Sequence, residues 1–371
     1  MKVAILTLPP ELNYGGILQG YALQTVLERF GHEVYILDTR KHWKLPIWRM
    51  PLAYAKRALL KYMLGYDINI FYERDRNKNY PMISKKINCF KDSFLHCKVV
   101  DFNRLEELKS NNFDAFVVGS DQVWRPKYFC APIENAYLSF TEGWTVKRVA
   151  YAPSFGTDEW EYSRQQTKKC AAYLRKFDAI SVREDSGIGL CRKYFNQEVD
   201  CVLDPTLLLT DSDYKLLLND VKKRKKHKTL FSYILDDSED KQKLITGVAE
   251  KYGLKLFEVS INKLSKEMQV QPGVEDWLLA ISEAEFVVTD SFHACVFSII
   301  FRKPFVVCAN YARGAARLKS LLGMLHLGNR FINSFDEFDS SLLEIDYSGV
   351  DRILSRQRER SLNFIANALQ K

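Results

Sequence analysis

A chain of 371 residues with a formal charge of +8 is longer than one ordinary domain and leans toward acidic partners. Its 47% hydrophobic and 27% charged residues exclude a disordered chain. The longest apolar candidate, Ala294 to Phe301, stops at Arg302-Lys303 and falls short of the about 18 residues that a membrane-spanning helix needs.

Met1-Lys2 leads directly into Val3-Ala4-Ile5-Leu6, too short for a signal-peptide core, so the expected location is the cytoplasm. Residues 2–7 read as a strand, followed by a loop through Gly15-Gly16, a helix carrying Ile17, Leu18, Tyr21, Ala22 and Val26, a stop at Gly31 and a strand over 33–37. That is one βαβ unit. Strand signals recur at 113–118, 148–152, 178–182, 199–203, 229–234, 254–259, 285–289 and 304–307, with helical stretches between most of them. Short apolar strands alternating with helices predict parallel sheets covered on both faces. The change at Asp204-Pro205 to a polar stretch divides the chain. The expectation is an α/β protein with two Rossmann-like domains facing across a cleft, residues 1–205 and 206–350, and a last helix, 351–371, packing back on the first.

The segment 43–80 interrupts this rhythm, being helical, basic and aromatic, with Trp43, Trp48, Arg49, Tyr54, Lys56, Arg57, Lys61 and Tyr62. It fits either an anionic bilayer surface or an insertion packed on its own domain. The run Lys222-Lys223-Arg224-Lys225-Lys226 has no aromatic interleaving and reads as a solvated loop, not a nucleic-acid site. Eight cysteines lack C-x-x-C or zinc-ligand spacing, so they read as reduced, mostly core thiols with no metal site expected.

Ligands of parallel α/β sheets bind outside the carboxyl ends of the strands, so the residues after each strand matter most. Four stretches qualify. Asn13-Tyr14-Gly15-Gly16-Ile17-Leu18-Gln19 offers free backbone N–H groups to an anion or sugar, or is a plain turn. Gly119-Ser120-Asp121-Gln122-Val123-Trp124 pairs carboxylate and amide groups with a flat ring, as sugar sites do, unless Ser120 or Asp121 merely caps a helix. Arg183 follows a buried strand and can grip a carboxylate or phosphate, or pair with Glu184 or Asp185. In Thr289-Asp290-Ser291-Phe292-His293, the histidine enters the first turn of a helix, where a neutral ring suits acid–base work, although a lone histidine also serves structure.

Together these stretches, with Ser181-Val182-Arg183-Glu184, Asp204-Pro205-Thr206 and Pro304-Phe305, resemble the polysaccharide pyruvyl transferase family in order along the chain. The resemblance implies a fold like that of GT-B glycosyltransferases and transfer of pyruvate from phosphoenolpyruvate to a sugar as a cyclic ketal, with no further cofactor. The sugar is expected on a surface polysaccharide or its lipid-linked precursor, met at the inner face of the membrane. It implies a catalytic set of His293, Arg183 and Asp290, with a donor contact from Arg183; Ser291, Arg313 and Arg317 are the further donor contacts expected. Acceptor contacts are expected from Asn13, Tyr14, Gly15, Gly16, Gln19, Ser120, Asp121, Gln122 and Trp124. Many members carry Arg-Leu-His where this chain has Ser291-Phe292-His293, so Arg313 and Arg317, four residues apart, are the expected replacements for the missing charge. A nucleotide-sugar glycosyltransferase and a catalytically silent glycan-binding protein are the rival readings.

Overall fold

The computed structural model describes residues 1–38, 45, 47–219, 228–259, 270–310 and 313–370. Trp43, the basic run Lys222–Lys226 and Tyr311-Ala312 lie outside the described residues.

Among the described residues, twelve strands form two sheets. The first contains β1 (Lys2–Leu6), β2 (Glu33–Asp38), β3 (Cys97–Val99), β4 (Ala115–Val118), β5 (Lys147–Ala150), β6 (Ala179–Val182) and β7 (Asp200–Cys201), in the order β3-β2-β1-β4-β5-β6-β7. The second contains β8 (Thr229–Tyr233), β9 (Lys255–Glu258), β10 (Phe286–Thr289), β11 (Phe305–Cys308) and β12 (Phe331–Ile332), in the order β12-β11-β10-β8-β9. Every strand pair is parallel. Each strand expected from the sequence is present, and β3 and β12 are additions at the sheet edges. Those two are three and two residues long, too short to carry a hydrophobic pattern of their own.

The central strands β4, β10 and β11 are buried at every position, because helices cover both faces. Helix Tyr14–Arg29 follows β1 and starts where the Asn13 side chain accepts the Gly15 N–H. Its Ile17, Leu18, Leu23 and Leu27 are fully buried, each contributing about 1.5–3 kcal/mol of transfer free energy.

The last helix, Tyr347–Ala368, begins ahead of the expected start, at a cap in which Asp346 accepts the Ser348 N–H. It contacts residues on both sides of the expected boundary at 205. Ser361 Oγ accepts the Leu203 N–H at 3.0 Å, and Arg358 Nε donates to Leu207 O at 2.9 Å. Between β2 and β3 stand helices Met50–Tyr62, Tyr72–Ile83 and Lys85–Phe94. No described helix is long and apolar enough to cross a membrane.

The two sheets turn their carboxyl ends toward each other and touch. Tyr14 Oη donates to Pro272 O at 2.8 Å, and its ring stacks on Trp277 with centroids 5.3 Å apart. Gln271 Nε2 donates to Leu12 O at 2.8 Å.

Candidate active site

The segments that leave the strand ends converge on one buried carboxylate, Asp204, just after β7. Its Oδ2 accepts from Arg183 Nη1 at 2.7 Å and lies 3.6 Å from His293 Nε2. Its Oδ1 accepts the Thr206 N–H at 3.0 Å and the Thr206 hydroxyl at 2.6 Å. Arg183 comes from the end of β6 in the first domain, and His293 from the first turn of helix Phe292–Ile300 in the second. Asp204 therefore joins the two domains. Ser120 Oγ, which donates to Ala152 O at 2.7 Å, stands 3.3 Å from the same carboxylate oxygen.

A second cation enters from the far side. Arg317, in helix Ala316–Met324, places Nη1 3.8 Å from Asp121 Oδ1, while Arg183 Nη2 reaches that oxygen at 3.4 Å. Asp121 takes a left-handed backbone with φ +58°, which acidic side chains tolerate better than most. The Phe292 ring lies under both guanidiniums, 4.5 Å from Arg183 Cζ and 5.6 Å from Arg317 Cζ. Four buried polar atoms here lack a hydrogen-bond partner: Arg183 Nε, Arg317 Nε, Glu184 Oε2 and His293 Nε2. Arg183 Nε faces Glu184 Oε2 at 3.9 Å and His293 Nε2 faces Asp204 at 3.6 Å, both too long for a hydrogen bond, so this buried set retains capacity for a polar ligand.

Charge compensation sets the protonation. Burial opposes ionisation of Asp204, but the neighbouring His293 ring, the charge of Arg183 and the hydrogen bond from Thr206 hold its carboxyl below the usual range. Asp121 behaves alike, with burial outweighed by Arg183, His293 and Arg317. Burial pushes Glu184 up, only partly offset by Arg183 and Arg317. Burial and repulsion from Arg183 bring Arg317 down to about 10.

The domains approach each other tightly at Gly15. A Cβ there would stand 2.0 Å from His293 Nδ1, so only glycine lets the imidazole rest on the first turn of helix Tyr14–Arg29. Gly314, with φ +91°, similarly meets Gly156, whose carbonyl oxygen would lie 1.5 Å from an added Cβ.

These residues belong to motifs that recur elsewhere. A family model described as polysaccharide pyruvyl transferase matches residues 13–311, most of the chain. The chain belongs to the polysaccharide pyruvyl transferase family. It is thus a member of a family of transferases that act in polysaccharide pyruvylation. None of the curated proteins matches it. Among solved structures it is similar to a putative UDP-N-acetylglucosamine 2-epimerase from Listeria monocytogenes, with 11% identity, a TM-score of 0.53 and 99% of this chain covered against 91% of that one. It is also similar to Arabidopsis thaliana UGT89C1 complexed with UDP-L-rhamnose, with 8% identity, a TM-score of 0.51 and 99% of both chains covered. These likenesses concern the fold, which is two-domain and GT-B-like.

Within this pyruvyl transferase family member, the structure sorts the expected residues. Arg183, His293 and Ser120 meet at Asp204, Asp121 and Arg317 stand beside Arg183, and Gly15 underlies the imidazole. Asn13 is exposed beside them. Asp290 does not join the cluster: its carboxylate accepts Leu235 N–H at 2.6 Å, Lys241 Nζ at 2.8 Å and Asn310 Nδ2 at 2.8 Å, which leaves it ordering the loops after β8 and β11. Ser291 caps helix Phe292–Ile300 through Ala294 N–H.

Arg313 lies outside the helix that carries Arg317, so the two do not share a helical face. It forms a two-point pair with Asp236, Nη2 to Oδ1 at 2.9 Å. Trp124 is fully buried, stacked on Tyr137 at 4.9 Å with Nε1 donating to Ala136 O, and offers no face to a sugar. Gln19 is spent on Thr7, Gly16 and Ser120, and Tyr14 on the domain seam. Gln122 accepts from Arg125 and packs on Gly156, and Gly16 touches Asn13. Sequence reasoning placed Asp204 in a family motif and offered Glu184 as an ion-pair partner of Arg183, but put neither of them nor Phe292 among the site residues. An acidic residue directly after a strand, as in Asp204-Pro205, was the available signal.

Proposed function

We propose that this protein transfers the pyruvyl group of phosphoenolpyruvate to two hydroxyls of one sugar, on a surface polysaccharide or its lipid-linked precursor, at the cytoplasmic face of the membrane. The observation that carries the reading is the pair of buried guanidiniums, Arg183 and Arg317, over the Phe292 ring next to His293, with neither Nε atom hydrogen-bonded.

The chemistry needs this set of groups. One sugar oxygen bonds to the donor's C2, the methylene takes a proton and becomes methyl, and the C2–O bond to phosphate breaks. The second hydroxyl then closes the ketal. One hydroxyl proton balances the new methyl group and the other leaves with phosphate. His293 is the group suited to move protons, and Asp204 orients its ring. Desolvating about three negative charges without cations would cost several kcal/mol, so the arginines hold the donor's carboxylate and phosphate. Arg317 supplies the charge that Ser291 lacks. Its distance of 3.8 Å to Asp121 is long for an ion pair, and its hydrogen bond, from Nη2 to Arg313 O at 3.0 Å, leaves Nε and Nη1 for a bound anion.

Incubation with phosphoenolpyruvate and a panel of galactose-, mannose- and glucose-containing lipid-linked acceptors tests this, the expected product being heavier by one pyruvyl ketal. Stabilisation against heat by a nucleotide sugar and not by phosphoenolpyruvate would overturn it in favour of glycosyl transfer. Binding of sugar with no release of phosphate would indicate a silent glycan-binding protein.

A further inference from the structure

The insertion between β2 and β3 presents a surface that the cleft does not use. From Ile47 to Tyr66 the sequence holds four Lys/Arg and no Asp or Glu. Helix Met50–Tyr62 within it has no buried residue. One side is anchored: Tyr54 packs edge-on against Phe71 at 5.1 Å, and Arg57 forms a two-point pair with Glu73 at 2.7 and 2.8 Å. The other side is open. Trp48, Leu52, Leu59 and Tyr62 are 70%, 76%, 52% and 75% exposed, at spacings of four, seven and three residues that put them in one stripe along the helix. Met63 and Leu64 extend the stripe past the helix end, at 74% and 61% exposure.

Water is a poor neighbour for such a stripe, and single exposed apolar residues do not form one. Its border is cationic. Arg49 lies over the Trp48 ring at 4.5 Å, Lys61 over the Tyr62 ring at 5.8 Å, and Lys56 is exposed between them. Large aromatic rings beside Lys and Arg on an apolar helix face suit the boundary between lipid headgroups and acyl chains.

The place of the helix also fits. The insertion leaves β2 at its carboxyl end, the edge of the sheet that faces the cleft. It returns through helix Tyr72–Ile83, where Ile83 O accepts the Gln271 N–H of the second domain at 3.0 Å. Gln271 in turn holds Leu12, in the loop that leads to Gly15, against which His293 rests.

We propose that the stripe from Trp48 to Leu64 is an in-plane docking surface for an anionic bilayer, which holds the cleft mouth beside the membrane. The purpose of this docking rests on the lipid-linked acceptor proposed above, whereas the docking itself rests on the surface alone. Charge complementarity selects the bilayer over a second copy of the chain, because two such acid-free faces would repel each other.

Sedimentation with vesicles of phosphatidylglycerol in phosphatidylcholine, and of phosphatidylcholine alone, tests it. The full chain should bind the anionic vesicles and release as salt is raised from 0.05 to about 0.5 M, where the screening length falls below about 5 Å. Each removed cation should weaken partitioning about fivefold, so the triple variant Arg49→Glu, Lys56→Glu, Lys61→Glu should bind at least a hundredfold more weakly. Leu52→Glu with Leu59→Glu should abolish binding at every salt concentration. All five side chains are at least partly exposed, so thermal melts should match the parent and exclude misfolding. Equal binding to both vesicle types, or binding unmoved by either variant, overturns the proposal. So does a parent dimer that the leucine variant converts to monomer without any vesicle binding. Vesicle binding without turnover of phosphoenolpyruvate would leave this surface standing and remove the proposed reaction instead.

Discussion

Gly15→Ala separates the geometry of the cleft from the stability of the fold. Gly15 is the second residue of helix Tyr14–Arg29, where alanine by intrinsic propensity alone would stabilise the helix by up to about 1 kcal/mol. Packing opposes this. The new methyl would stand 2.0 Å from His293 Nδ1 and 2.3 Å from its Cγ, whereas nonbonded heavy atoms settle at about 3.5 Å. The ring must therefore retreat by roughly 1.5 Å, or the domains must part by as much. A reacting group misplaced by about 1 Å loses on the order of a hundredfold in rate. The expected result is kcat for phosphate release from phosphoenolpyruvate, with acceptor present, reduced about a hundredfold, while Tm moves by only a few degrees. Gly16→Ala is the control, because its Cβ would meet only Asn13 Nδ2, at 3.3 Å, and should leave kcat near the parent's. A Gly15→Ala enzyme within threefold of the parent's rate would refute the placement of His293 at the reaction centre.

His293→Ala should abolish turnover while calorimetry still shows donor binding, since the ring moves protons more than it supplies affinity; activity within threefold of the parent would remove that role. Arg317→Met should weaken phosphoenolpyruvate binding by about 1.5–3 kcal/mol, whereas Arg313→Ala, whose guanidinium is already held by Asp236, should bind almost as the parent does; the reverse ranking in titration calorimetry would reassign the donor site. Asp204→Asn leaves Arg183 buried with a weakened partner set and should cost about 3–5 kcal/mol in denaturant unfolding, so a loss below about 1 kcal/mol would contradict the central position of that carboxylate. Glu184 has a raised folded-state pKa, so its contribution is full below the ordinary glutamate value of about 4.3 and is lost as pH rises through the folded value. Glu184→Gln, which keeps an acceptor oxygen for Ser154 and the Phe155 N–H, should therefore destabilise less at pH 8 than at pH 5; an equal change in Tm at both would refute the shift.

The strands of both sheets were legible as short apolar runs because a strand buried on both faces needs no partner to reveal itself: Ala115–Val118 and Phe305–Cys308 are hydrophobic whatever lies beside them. The alternation with helices followed, and so did the doubly covered parallel architecture. The family motifs likewise placed Arg183 and His293 at strand ends. Three kinds of fact were beyond local pattern. The edge strands Cys97–Val99 and Phe331–Ile332 exist because a neighbour offers free backbone groups to pair with, not because of their own side chains. Trp124 looked like a sugar platform but stacks on Tyr137, thirteen residues on along the chain, because burial depends on what the chain brings over the ring. The partners of Arg183 come from residues 121, 184 and 204, and His293 reaches Asp204 only once one domain closes on the other. Side-chain chemistry could name the candidates along the chain; which cation meets which carboxylate is an energy of contact across the fold, and the tertiary structure alone decided it.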